Sequence, residues 1–215
     1  MSEPVRSPDN LQQRLIDGDA EALAELISRH RERLWRMVHF RLDRRLARRV
    51  DPEDILQEAY MDAAKRMGHY RDDAPASAFL WLRMIVTQTL IDTHRRHLGA
   101  QQRDARREVL GDRCFFPQAT STSLASQLLG HLTSPSQIAM RAELSDQLEQ
   151  AIATMEPIDQ EILALRHFEE LTNNEVAQVL GIQVKAASIR YVRALNRLQE
   201  ILSRLPEFAA EFSHA

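Results

Sequence analysis

The stretch that most constrains this chain is Leu171 to Leu202, LTNNEVAQVLGIQVKAASIRYVRALNRLQEIL, which reads as two helices broken at Gly181. Thr172 followed by Glu175 is a capping box, in which each side chain satisfies a backbone amide of the other, so the first helix has a defined start. Val176, Ala177 and Leu180 supply its inner stripe. Gly181 stands where a helix C-terminus needs a left-handed residue, Ile182 plugs the corner, and a second helix is expected from about Gln183 to Leu202. At about 100° per residue, Ala187, Tyr191, Ala194, Leu198 and Ile201 fall on its buried side.

The opposite side carries Lys185, Ile189, Val192, Arg193 and Asn196, with Ser188, Arg190 and Arg197 on the flanks and no acid before Glu200. Two readings stay open on this pattern. One is a helical hairpin with a solvated basic face. The other is a helix-turn-helix whose second helix enters a DNA major groove, with cations on phosphates and Ile189 and Val192 against thymine methyls.

A chain of 215 residues with 44% hydrophobic residues can bury a real core as one domain or two small ones. Only six glycines, no alternating β-branched runs and abundant Leu, Ala, Arg, Glu and Gln favour an all-α fold. The net charge of −3 is uninformative globally, and the information lies in how charge is partitioned. A single cysteine, Cys114, excludes an internal disulfide framework, and with Arg113 as its basic neighbour an inert thiol is favoured over a redox sensor. No apolar run approaches membrane length and the start MSEPVRSPDN lacks a signal-peptide core, so a soluble cytoplasmic chain without membrane insertion is expected.

Residues 1–10 read as a flexible tail, and a helical domain is expected over 11–107 with its charges in blocks. Arg29 to Arg49 is dense in arginine, opposed only by Glu32 and Asp43, with Leu26, Leu34, Val38 and Leu42 at helical spacing. The sign then flips: Asp51, Glu53, Asp54, Glu58 and Asp62 come without a base until Lys65. Asp51 and Pro52 form a strong helix start, Ile55, Ala59, Ala63 and Met67 face inward, and Asp54, Gln57, Glu58, Met61 and Asp62 face outward. Such an acidic ridge serves solubility and the helix dipole, or docks a basic partner.

After the Asp- and Pro-bearing loop from Tyr70 to Ser77 comes AFLWLRMIVTQTLIDTHRRHL, with Phe79, Leu82, Ile85, Val86 and Leu90 inside and a basic end continuing through Arg95, Arg96, Arg103, Arg106 and Arg107. Trp81 suits the core better than a stacking role on unpaired bases. His94 and His97 lack a carboxylate or cysteine partner at ligand spacing and read as polar-face residues. No phosphate loop, nucleophile elbow or zinc motif is found, so no enzyme, cofactor or metal site is expected. Residues 108–136 form a Ser/Thr-rich linker in which SLASQLL can make one short helix; helices over about 136–155 and 158–168 then lead into the opening motif within a domain 137–205, and 206–215 is a C-terminal tail.

The order of an arginine-rich helix, DPEDILQEAYMDAAKRM, FLWLRMIVTQTLIDTHRRHL, a linker and a C-terminal helix-turn-helix resembles the extracytoplasmic-function group of bacterial RNA polymerase sigma factors. The resemblance implies two small helical domains joined by a linker, with core RNA polymerase and promoter DNA as partners and an anti-sigma factor or other regulator as a further partner class. It implies core-polymerase binding by Asp54, Gln57, Glu58 and Asp62. It implies −10 contacts from Arg71, Asp72, Ser77, Gln88, Asp92, Arg95 and Arg96, and −35 contacts from Lys185, Ser188, Ile189, Arg190, Arg193 and Arg197. The chain departs from the family in the long −10 loop with Asp72, Asp73 and Pro75, and at Lys185-Ala186-Ala187-Ser188, where Gly-Thr-Val and a basic residue are common. The rival expectation is a helix-turn-helix regulator that binds duplex DNA without acting as a sigma factor, and a third is an interaction protein whose helices bind only a regulatory partner.

Overall fold

Two aspartates start the long helices of the N-terminal half. In the computed structural model, which describes residues 8–43, 45–70, 77–98, 121–130 and 138–205, the Asp19 carboxylate accepts from the Glu21 amide at 2.8 Å and the Asp51 carboxylate from the Glu53 amide at 2.9 Å. They cap α2 (Ala20–Arg41) and α3 (Pro52–Arg66), the latter with Pro52 in its first turn where a missing amide costs nothing. A short helix α1 (Pro8–Ile16) precedes them, starting three residues inside the stretch expected to be tail. A 3₁₀ turn, Met67–His69, follows α3, and α4 runs Ala78–Leu98 after the Ser77 hydroxyl accepts from the Leu80 amide at 3.2 Å.

The chain divides into two compact units, Met1–Pro117 and Gln118–Ala215. In the first, α2, α3 and α4 each pack on the other two, and α1 packs on α2. The inner stripes anticipated from periodicity are buried: Leu26, Leu34 and Val38 from α2, Ile55, Ala59 and Ala63 from α3, Phe79, Leu82, Ile85, Val86 and Leu90 from α4. Trp81 is 1% exposed and meets Tyr70 edge to face at 5.0 Å, so it belongs to the core. Threonines share the buried face of α4 because Thr87, Thr89 and Thr93 donate to the carbonyls of Arg83, Ile85 and Thr89, one turn back.

In the second unit, α5 (Ser121–Gly130) packs on α6 (Ile138–Ile152) and buries Leu124, Ala125 and Leu129. It occupies the part of the linker stretch where SLASQLL had the makings of a helix. α7 (Pro157–Leu163) opens into a π turn, Ala164–Phe168, where one continuous helix was expected. The buried Gln160 donates to the Ile152 and Met155 carbonyls and closes the end of α6. The Thr172–Glu175 capping box forms at the start of α8 (Asn173–Leu180), Gly181 ends it at φ 64°, and α9 (Val184–Ser203) packs against α6, α7 and α8. All regular elements among the described residues are helical. Cys114 lies outside those residues.

Candidate functional site

The outward face of α9 is built by its amphipathic register. Ala187, Ala194 and Ile201 are buried and Tyr191 and Leu198 half-buried, which turns Lys185, Ile189, Val192, Arg193 and Asn196 to solvent. Ile189 and Val192 are 44% and 55% exposed, a large apolar area to leave in water between cations. Tyr191 is held from behind: its hydroxyl lies 3.1 Å from His167 Nε2, and the Arg166 guanidinium sits over its ring at 5.1 Å. Burial, then the charge of Arg166, holds the His167 imidazole below its ordinary pKa.

The six α9 residues expected to contact DNA separate into two groups. Lys185 and Arg193 have no ion pair among the described residues and, with Ile189, stand open. The other three are already engaged. Ser188 accepts from Asn173 Nδ2 at 2.7 Å, Arg190 lies 3.7 Å from Glu156 and 3.8 Å from Asp159, and Arg197 pairs with Glu200 at 3.7 Å. Burial and the nearby Glu156 push the Asp159 carboxyl up, against the pull of Arg190 and Arg193.

On α3, Asp54, Gln57 and Glu58 are exposed, with Met61 60% exposed beside them. Asp62 is half-buried and held by Arg66 at 3.0 Å and Lys65 at 3.6 Å. The acidic run has no base between Asp51 and Asp62, yet in space two arrive from neighbouring helices. Arg31 of α2 meets Glu53 at 2.8 Å, and Arg96 of α4 meets Glu58 at 2.7 Å. Each of these exposed pairs contributes about 0–1 kcal/mol.

That second pair joins the two candidate surfaces of the first unit. Arg96 also donates to Thr93 Oγ1 at 3.0 Å. Gln88 Nε2 donates to both oxygens of the Asp92 carboxylate at 3.2 and 3.1 Å, and Arg95 lies 3.5 Å from the same group. Ser77 is spent on capping α4, and Arg71 and Asp72 lie outside the described residues. His94, expected on a polar face, is half-buried: its Nε2 accepts from the Asp43 amide at 3.3 Å, and burial holds its pKa down. The Arg45 side chain, bonded to the Asp43 carboxylate, holds that group low. Among the described residues no group of His, Cys, Asp and Glu is placed to hold a metal ion, and no helix is long and apolar enough to cross a membrane.

Sequence reasoning missed Asn173, the Glu156–Asp159 pair behind Arg190, and the links Glu58–Arg96 and Asp43–His94. The last two join residues 38 and 51 positions apart, a separation that leaves no mark on local periodicity.

Residues 9–203 match the family model described as ECF sigma factor, so the match runs through both units. Among similar proteins, the ECF RNA polymerase sigma factor SigW of Bacillus subtilis is 24% identical over 188 residues, covering 87% of this chain and 92% of that one. The RNA polymerase sigma-H factor of Pseudomonas aeruginosa is 26% identical over 197 residues, covering 91% and 93%. The RNA polymerase sigma factor CarQ of Myxococcus xanthus is 28% identical over 196 residues, covering 90% and 96%. The fold is similar to that in a solved structure of CnrH in complex with the cytosolic domain of CnrY, with a TM-score of 0.52, 18% identity and coverage of 92% and 98%. The matched span takes in every element described above, α1 from its second residue and α2 to α9 whole, and the chain belongs to the ECF sigma factor family.

Proposed function

We propose that this sigma factor holds core RNA polymerase through the acidic face of α3 and reads a promoter at two places, the −10 element through α4 and the −35 element through α9. The observation that carries this reading is the family match across residues 9–203, which takes in α3, α4 and α9 together. A helix-turn-helix alone would leave the exposed Asp54, Gln57 and Glu58 without a purpose, whereas a basic docking surface on polymerase gives that charge its complement. Asp62, already paired with Lys65 and Arg66, supports the ridge from its edge.

On α9, Lys185 and Arg193 supply phosphate or base-edge contacts and Ile189 meets a thymine methyl. Arg190 and Arg197, engaged by acids, take phosphate contacts at the margin. On α4, Gln88, Asp92, Arg95 and Arg96 face the −10 strand, with Arg71, Asp72 and Ser77 of the −10 loop contributing from the preceding stretch of chain. The chain binds and positions and catalyses no reaction. A regulator that occupies the sigma factor off polymerase fits the same surfaces, and the complex of CnrH with the cytosolic domain of CnrY supports that partner class. The test is run-off transcription with core polymerase on a promoter library: initiation from a subset of promoters is expected, and none from any promoter contradicts the reading.

A further inference from the structure

We infer that Asn173 is a positioning residue for promoter recognition: it fixes the Ser188 hydroxyl as a hydrogen-bond donor aimed at an acceptor on the −35 base edges. This rests on the reading of α9 as the −35 helix. Asn173 is the first residue of α8 and Ser188 lies in the second turn of α9, so their 2.7 Å bond clasps the two helices of the motif at their N-terminal ends.

The direction of that bond decides the chemistry. Asn173 Nδ2 donates and Ser188 Oγ accepts. A hydroxyl carries one proton and two lone pairs, so a Ser188 oxygen that already accepts keeps its proton for a second partner. Among the described residues the Ser188 hydroxyl donates no hydrogen bond, and Ser188 is half-buried on the flank of the open face of α9, beside the exposed Ile189 and Lys185. The amide is also enclosed: Asn173 Oδ1 is buried where α8 packs on α9 and has no hydrogen-bond partner among the described residues, so the bond to Ser188 is the one that orients the group. A fixed donor prefers N7 or O6 of guanine, N7 of adenine or O4 of thymine, and rejects the exocyclic amine of cytosine.

The experiment uses the full chain with core RNA polymerase on a promoter library randomised across the −35 element, with initiation frequencies read by sequencing transcripts. Wild type is compared with Asn173→Ala, Ser188→Ala, the double variant and Asn173→Asp, and thermal unfolding checks that each variant folds. Asn173→Ala and Ser188→Ala are each expected to lose about threefold to tenfold of the base preference at the same single position, with the double variant no worse than either. Asn173→Asp replaces the donor by an acceptor-only carboxylate, so Ser188 must donate to it and turn its lone pairs to the DNA. Preference at that position then moves towards bases presenting an amine. An even loss of initiation across the library, with the base profile unchanged, is the outcome expected of a merely structural contact and contradicts the inference. An unchanged base profile in Asn173→Ala, alongside a wild type that discriminates −35 sequences, overturns this inference and leaves the −35 reading of α9 standing. A wild type that shows no −35 discrimination overturns both.

Discussion

The two candidate DNA-facing helices, α4 and α9, present their charges in opposite states. On α4 the polar residues are closed on one another or on α3: Gln88 and Arg95 on Asp92, Arg96 on Glu58. On α9 the central cations Lys185 and Arg193 are open and flank exposed Ile189 and Val192, while engaged groups sit at the margins. The difference follows from neighbours. α4 lies against the acidic α3, so Arg96 finds Glu58 inside the same unit, while Arg95 turns to Asp92 of its own helix. α9 packs its apolar side on α6, α7 and α8, and among the described residues the ion pairs to acids of its own unit go to Arg190 and Arg197, while Arg193 acts on Asp159 only at longer range. A helix that reads duplex DNA gains from an open cationic face, because nothing has to be broken before phosphate contact. A helix whose charges are internally paired must exchange partners, and such exchange ties its DNA contacts to whatever binds α3.

The largest expected effect is on the α3 side of this contrast. Reversing Asp54 and Glu58 together to Arg places like charges against a basic docking surface, and core-polymerase affinity is expected to fall by about 2–4 kcal/mol, or some thirtyfold or more, with thermal stability near wild type. An unchanged affinity by fluorescence anisotropy would remove α3 as the docking helix. Next in size is the split within α9. Arg193→Ala is expected to weaken promoter binding by about 1–3 kcal/mol, selectively if Arg193 reads a base and evenly across sequences if it touches phosphate. Arg190→Ala is expected to cost less on DNA, because its guanidinium is shared with Glu156 and Asp159. Equal losses would mean that internal pairing does not set the rank.

Smaller still is the link between the surfaces. A double-mutant cycle on Glu58→Gln and Arg96→Ala is expected to give a coupling of about 0–1 kcal/mol in the free chain, as for an exposed pair. That coupling should vanish on polymerase if Glu58 changes partner. The smallest effect is proton-linked. Burial depresses the folded-state pKa of His94, so the unfolded chain binds more protons near the ordinary imidazole value of about 6.5. The stabilisation is therefore complete above that pH and is lost as pH falls through it towards the folded value. His167 contributes with the same sign, whereas the depressed Asp43 loses its contribution only in the more acidic carboxylate range. Melting temperature is expected to drop between pH 7 and pH 5, and His94→Asn to flatten part of that slope; an unaltered slope would mean that His94 is not titrating there.

What was legible in the sequence was local. The Thr172–Glu175 box, Gly181, the Asp51-Pro52 start and the 3.6-residue stripes of α2, α3, α4 and α9 each depend on local spacing, and each is present, although Met67, expected on the inner stripe of α3, lies half-buried in the 3₁₀ turn beyond it. Trp81 in the core followed from the apolar stripe around it. What was not legible depends on packing. Nothing near Arg190 in the chain announces Glu156 and Asp159, 34 and 31 positions earlier, and nothing near Ser188 announces Asn173. The π turn before Glu170, which takes φ 54° without being glycine, had no glycine to mark it. For the candidate site this means that the outward faces were readable, while which of their residues are free to bind was set by the fold.

The division of labour between α3 and α9 is tested most directly by one transcription assay, with core polymerase, a promoter library and three proteins: wild type, the Asp54→Arg/Glu58→Arg double variant, and Arg193→Ala. Wild type is expected to initiate from a restricted set of promoters, the α3 variant from the same set at a strongly reduced level because it joins polymerase poorly, and Arg193→Ala from a weakened or altered set while still binding polymerase normally. An α3 variant that initiates like wild type, or an Arg193→Ala variant whose defect lies in polymerase binding, would contradict the account.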